Sequence, residues 1–258
     1  MNTASQQTDN KSKTAVIMQA RVGSTRLPAK VLKTICGKTV LEHDIERCLR
    51  IKRSSGVIIA TTIEPDSYKI VEICEKFSPE EVSVHRGSVE DVLGRYYDAA
   101  RRYKVRYVIR ITSDCPLLDF ELADSMIGKF IELRGKKPAI DLLFNNNPPT
   151  FPHGLDMEIF TFEALEKAFN EANDQDEREH VTPYIRCHPE LFKMENFSQT
   201  QNLSHLRWTL DYPEDFEFIK AVYEHLYPQN PVFATNDILT LLENHPEIQA
   251  INEGRRQR

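Results

Sequence analysis

Directly after the first apolar run of the chain comes the segment Gln19-Ala20-Arg21-Val22-Gly23-Ser24-Thr25-Arg26-Leu27-Pro28-Ala29-Lys30. Gly23 has no Cβ and lets the backbone come close to a ligand, and exposed N–H groups in such a turn form a concave anion site. Arg21, Arg26 and Lys30 add fixed positive charge around it. The combination suits a triphosphate; taken alone, it also fits a turn carrying solvated basic side chains. As an exposed loop lysine, Lys30 is expected to matter for turnover and little for packing.

Two carboxylates stand where two later strands are expected to end, Asp114 after RYVIRIT and Asp211 after LRWTL. Open parallel sheets place ligands beyond the carboxyl ends of their strands, so both side chains are expected to converge on one crevice. Mg²⁺ needs only one or two protein carboxylates plus phosphate oxygens. Either aspartate alone fits a turn former. Beside the basic loop, the pair points to a metal. Two other nucleotide signatures fail. Gly37-Lys38-Thr39 looks like the tail of a P-loop, but the first glycine of that motif would fall at Leu32, so the tripeptide reads as a turn and a helix start. No G-x-G-x-x-G follows the first strand, which counts against an NAD-dependent dehydrogenase.

The elements that must position these residues alternate between β-branched runs and helix-period segments, which predicts an α/β fold with a mostly parallel sheet flanked by helices. Strands are expected at 14–20, 56–62, 82–85, 106–112, 155–160 and 206–210. Helices are expected at 39–52, 67–77, 89–103, 119–133, 161–173 and 175–187, with Pro213, Glu214 and Asp215 resembling the first turn of another. The Asn/Pro-rich stretch 145–149 is a loop by composition and a point where the topology could change. A loose tail at 1–13 and a single domain over 14–258 with a C-terminal helical appendage complete the organisation.

Composition narrows the class. The 258 residues are 40% hydrophobic and 28% charged, the balance of an ordinary folded protein. A net charge of −6 with interspersed signs offers no basic face for nucleic acid. No apolar run approaches a membrane span and the polar N-terminus is unlike a signal peptide, so a cytoplasmic protein is expected. The five cysteines form no C-x-x-C pair and read as reduced thiols.

Six ordered motifs now carry a resemblance: QARVGSTRLPAK, RGSVEDVLGRY (86–96, read as a helix), RITSDCPLLD, HGLDMEIF, EREHVTPYI and RWTLDYPEDF. Together, over about 16–218, the chain resembles the spore-coat-polysaccharide type of cytidylyltransferase, a relative of the acylneuraminate and 3-deoxy-manno-octulosonate cytidylyltransferases. The resemblance implies a Rossmann-like GT-A nucleotide-diphospho-sugar transferase fold and transfer of CMP from CTP, with Mg²⁺, to a small acidic or phosphorylated acceptor in surface polysaccharide precursor synthesis. By motif, Arg21, Gly23, Ser24, Arg26 and Lys30 would hold the triphosphate, and Arg86, Gly87 and Ser88 would lie near the base or ribose. Asp114 and Asp211 would hold Mg²⁺, while Arg110, Gly154, Asp156, Glu158, Glu179 and His180 would face the acceptor. The tail from Pro228 matches no motif; it packs on the sheet or reaches a second copy in a homodimer, and its terminal basic residues read as a solvated end. The rivals are a sugar-1-phosphate nucleotidyltransferase using another nucleotide, a glycosyltransferase, against which the missing second acid of a D-x-D motif at Asp114-Cys115-Pro116 counts, and a silent binding module.

Overall fold

The β-branched runs of the sequence form the middle of one seven-stranded sheet, in a computed structural model that describes residues 13–255. Of the expected tail, 1–12 lie outside the described residues, and the Lys13 carbonyl accepts the amides of Arg106 and Tyr107. In chain order the elements are β1 (Thr14–Gln19), a small hairpin of β2 (Thr34–Ile35) and β3 (Lys38–Thr39), α1 (Val40–Leu49), β4 (Val57–Thr62), α2 (Tyr68–Cys74), β5 (Val82–Gly87), α3 (Val92–Arg102), β6 (Tyr107–Thr112) and α4 (Phe120–Arg134). They continue through β7 (Leu142–Phe144), β8 (Glu158–Thr161), α5 (Phe162–Glu171), α6 (Gln175–His180), α7 (Pro183–Cys187), β9 (Met194–Asn196), α8 (Pro213–Leu226), α9 (Thr235–Asn244) and α10 (Pro246–Ala250).

The order across the sheet is β5-β4-β1-β6-β8-β7-β9. The first four strands run parallel, and β8 lies antiparallel between β6 and β7. The topology therefore changes after α4, around the loop that composition marked. Because strand side chains alternate, Val16 and Met18 of β1 pack with Ile45 of α1 and Phe130 of α4 on one face. Ala15 and Ile17 pack with Tyr96 of α3 and Leu165 of α5 on the other. A third apolar cluster, with Trp208, Phe218, Tyr223 and Phe233, joins the C-terminal helices to Leu27 and Ile35 beside the basic loop.

Several expected elements are revised. The helix expected at 89–103 begins later, because the Asp91 carboxylate caps it by accepting the Gly94 amide at 2.8 Å; Arg86 and Gly87 belong to β5 instead. The helix expected at 175–187 breaks into α6 and α7 at Val181, whose φ of +73° and the following Pro183 cannot continue a helix. The strand expected at 206–210 is outside the sheet. Its backbone is extended but pairs with a loop: Trp208 N–H donates to the His153 carbonyl at 2.7 Å, and Leu210 N–H to that of Asp114 at 2.8 Å. Gly154 makes that approach feasible. Its φ is +111°, and a Cβ there would lie 2.6 Å from the Thr209 nitrogen. The Gly37 turn and Thr39 helix start hold: Gly37 has φ +80°, Thr39 Oγ1 accepts the Glu42 amide at 3.2 Å, and the Glu42 carboxylate accepts the Thr39 amide at 2.7 Å.

Candidate active site

The end of β6 delivers Asp114, and the extended segment 206–210 delivers Asp211 beside it, tied by the Leu210 N–H on the Asp114 carbonyl. Asp211 is held by the first turn of α8. There the buried Asp215 carboxylate accepts the amides of Asp211 and Tyr212, each at 3.0 Å, and takes two bonds from Arg207 at 2.9 and 2.8 Å. Burial works against the Asp215 charge, but the Arg207 guanidinium and these amides outweigh it and hold the carboxyl below the ordinary aspartate range.

Lys30 occupies the space between the two acids. Its ammonium donates to Asp114 Oδ2 at 3.0 Å, Asp211 Oδ1 at 3.0 Å and the Leu210 carbonyl at 2.8 Å. Arg26 adds a second cation 3.0 Å from Asp211 Oδ1. The expectation of an exposed loop lysine is therefore corrected: the Lys30 side chain is only 14% exposed. A left-handed Ala29, with φ +52°, starts the short 3₁₀ turn at Lys30–Leu32, and burial of Val31 and Leu27 turns the lysine inward. Burial opposes the Lys30 charge, yet the flanking carboxylates raise its pKa above the ordinary lysine value. Asp114 is pushed up by burial and pulled down more strongly by Lys30 and by hydrogen bonds, ending below its ordinary value.

The donor set fits a divalent ion, since both carboxylates already converge on one cation. Among the described residues no group of three or more His, Cys, Asp or Glu side chains could hold a metal. Two acids suffice for Mg²⁺ only where phosphate oxygens complete the shell.

Two cavities meet at this pair. One, of about 460 Å³, is lined by Arg21, Gly23 and Ser24 from the basic loop, by Arg95 and Arg110, and by Glu179 and His180 of α6. The other, of about 1040 Å³, is lined by Asn146, His153, Asp156, Arg186, Arg207 and Arg255. Arg26, Thr112, Asp114 and Asp211 line both. Two ligands seated in the two cavities would thus face each other across the same acids.

The remaining expected residues divide. Arg21, Gly23 and Ser24 stand on the smaller cavity and Asp156 on the larger; Arg110, Glu179 and His180, expected to face the acceptor, stand on the smaller cavity with the basic loop instead. Burial pushes the Asp156 carboxyl above its ordinary range, against the Gly154 amide and nearby His153. Glu158 lines neither cavity. It is 3% exposed and braces β8, β6 and α7 by accepting from Arg110 at 2.8 Å, Thr182 at 2.8 Å and Arg186 Nε at 3.0 Å. Burial raises its cost, but Arg110 and Arg186 hold it below the ordinary glutamate range.

Gly154 acts through the close backbone approach described above. Arg86 turns its guanidinium onto the carbonyls of Thr62 and Ile63, at 3.1 and 3.0 Å, and stacks over Tyr68. Gly87 leaves room for Arg95, whose Cγ would sit 2.7 Å from a Cβ there, and Ser88 Oγ accepts the Asp91 amide at 3.2 Å. These three line neither cavity, while Val89, Glu90 and Arg95 line the smaller one. Sequence reasoning missed Arg95, His153, Arg186 and Arg255 as cavity residues. Of the terminal basic residues read as a solvated end, Arg255 is exposed and also lies on the larger cavity over the Tyr212 ring; the basic residues after it are outside the described range.

Comparison with known proteins gives the family. A family model described as cytidylyltransferase matches residues 15–239. The spore coat polysaccharide biosynthesis protein SpsF of Bacillus subtilis is 30% identical over 250 residues, 92% of this chain and 97% of its own length. A solved cytidylyltransferase from Leptospira borgpetersenii superposes with a TM-score of 0.85 at 35% identity, covering 92% of this chain and 96% of that one. A CMP:2-keto-3-deoxy-manno-octonic acid synthetase solved with CTP shares the fold at 16% identity, with a TM-score of 0.63 over 83% of this chain and 99% of that one.

Proposed function

Since the chain belongs to the cytidylyltransferase family and is a nucleotidyltransferase, we propose that it transfers CMP from CTP to a small acidic or phosphorylated acceptor, with Mg²⁺ and release of pyrophosphate. The observation that carries this reading is the meeting of two cavities at Asp114 and Asp211, the pair that Lys30 bridges. Group transfer needs its two substrates held in line, and such positioning supplies most of the catalysis when little covalent work falls to the protein. The smaller cavity, with the basic loop on its wall, takes the nucleotide; the larger takes the acceptor.

In the reaction, an acceptor oxygen attacks the α-phosphorus, a new P–O bond forms, and the bond to the β-phosphate oxygen breaks. The Gly23 and Ser24 backbone and Arg21 hold phosphate oxygens, while Arg26 and Lys30 stabilise charge growing on the departing pyrophosphate. Asp114 and Asp211 would hold Mg²⁺, which when bound polarises phosphate oxygens and offsets their charge. A carboxylate, phosphate or phosphonate acceptor is already nucleophilic, so no general base is obligatory. The role named for SpsF suggests the pathway, synthesis of a surface polysaccharide precursor in the cytoplasm. Among the described residues no helix is long and apolar enough to cross a membrane.

Pyrophosphate release measured with CTP, UTP, GTP and dTTP against a panel of acidic acceptors tests the donor. CTP should be strongly preferred. Preference for another nucleotide would favour a sugar-1-phosphate nucleotidyltransferase instead.

A further inference from the structure

The family match ends at residue 239, yet later residues build the wall of the larger cavity, where Gly254 and Arg255 stand. This stretch is anchored. Asn252 is 4% exposed, and its Nδ2 donates to the Arg207 carbonyl at 2.9 Å and to Asp215 Oδ1 at 3.1 Å. The Asn252 carbonyl in turn accepts the Arg255 amide at 2.9 Å. The stretch around Asn252 is thus fastened to the same Arg207–Asp215 pair that holds the Asp211 backbone.

Among the described residues four guanidinium groups line this cavity: Arg26, Arg186, Arg207 and Arg255. Three pair with acids that are buried or nearly so, although Arg26 is itself 53% exposed and also lies over Tyr212, 5.1 Å from its centroid. Arg186 serves the buried Glu158, Arg207 the buried Asp215, and Arg26 pairs with Asp211. Arg255 differs. Its guanidinium carbon lies 4.6 Å from the centroid of the Tyr212 ring, which orients it, and its acidic partner is Glu214 at 3.0 Å, a side chain 43% exposed. An ion pair at so wet a position contributes little and is screened by salt, so Arg255 can change partner at small cost. Asp114, Asp156 and Asp211 face the same cavity, and an anion entering it needs a cation not already spent on them.

We infer that Arg255, stacked on Tyr212, is the contact for the acceptor's anionic group, and that this C-terminal segment beyond the family-matched region helps set which acceptor is taken. The inference rests on the assignment of the larger cavity to the acceptor. A planar guanidinium suits a carboxylate, phosphate or phosphonate through paired hydrogen bonds.

The test uses the full chain saturated with Mg²⁺ and α,β-methylene CTP, which cannot be cleaved at the reacting bond and fills the nucleotide cavity. Methylphosphonate is then titrated by calorimetry into the wild type, Arg255→Gln and Arg255→Lys. Methylphosphonate should bind the wild type. Arg255→Gln should weaken that binding by about five-fold or more, since charge-assisted bonds are lost, and Arg255→Lys should recover part of it. Affinity for the CTP analogue should stay unchanged in both variants. Equal methylphosphonate affinity in wild type and Arg255→Gln overturns the inference, as does a wild type that binds the analogue but no methylphosphonate. A wild type that fails to bind the analogue overturns the donor assignment itself, and the acceptor contact with it.

Discussion

Replacing Lys30 with methionine keeps the aliphatic stem and removes the ammonium that Asp114 and Asp211 share. Their oxygens each lie 3.0 Å from Nζ, so the two acids are at most about 6 Å apart. Two unit charges at that distance repel by roughly 3 kcal/mol at an effective dielectric of about 20. Breaking a fully buried ion pair costs about 3–5 kcal/mol, and the Asp114 and Asp211 side chains, 26% and 15% exposed, belong near the lower end. The expected loss is therefore about 3 kcal/mol, which for a domain of this size lowers Tm by roughly 6–12 °C. Thermal melts followed by circular dichroism in EDTA measure it. Adding Mg²⁺ or Mn²⁺ should then stabilise Lys30→Met more than the wild type, because the ion supplies the missing positive charge. Pyrophosphate release should stay strongly depressed even with metal. A variant melting within about 1 °C of wild type in EDTA, or one with no greater response to metal, would refute the placing of Lys30 between the acids.

Other positions give independent checks. Gly154→Ala must place a Cβ 2.6 Å from the Thr209 nitrogen at a φ of +111°, so denaturant unfolding should show a loss of about 3 kcal/mol; a change below about 0.5 kcal/mol would contradict the docking of 206–210 on that loop. Glu158, held below the ordinary glutamate range, binds its proton more weakly folded than unfolded, so its stabilisation is complete above the unfolded pKa of about 4.3 and is lost as pH falls below it. Wild-type Tm should fall through that acid range, while Glu158→Gln should start lower at neutral pH, with Arg110 and Arg186 unpaired, and fall less steeply. Parallel curves would remove Glu158 from the brace.

The parts of this molecule legible in its sequence are those whose signal is local. β1, β4 and β6 are long β-branched runs buried in the sheet, and they could be read at once. β7 and β9 are three residues each, too short to show any period. Asp114 and Asp211 were legible as acids near strand ends, although the 206–210 segment turned out to pair with a loop and not with the sheet. That pairing joins residues far apart in the chain, and no local pattern encodes it. The same holds for Arg255, whose place over Tyr212 depends on Asn252 reaching Asp215. Arg86 shows the opposite case. Its motif is conspicuous, but its guanidinium finds the backbone carbonyls at the end of β4, and the wall of the cavity is left to its neighbours.

Asp114 and Asp211 are proposed to hold jointly the divalent ion that the nucleotide's phosphates share. Crystals soaked with CTP and Mn²⁺, with data collected at the manganese edge, address it without an acceptor. The account predicts one anomalous peak at coordinating distance from both carboxylates and from phosphate oxygens, with Lys30 moved off the acids. A peak bound to neither aspartate, or to phosphate alone with Lys30 still between them, would contradict it.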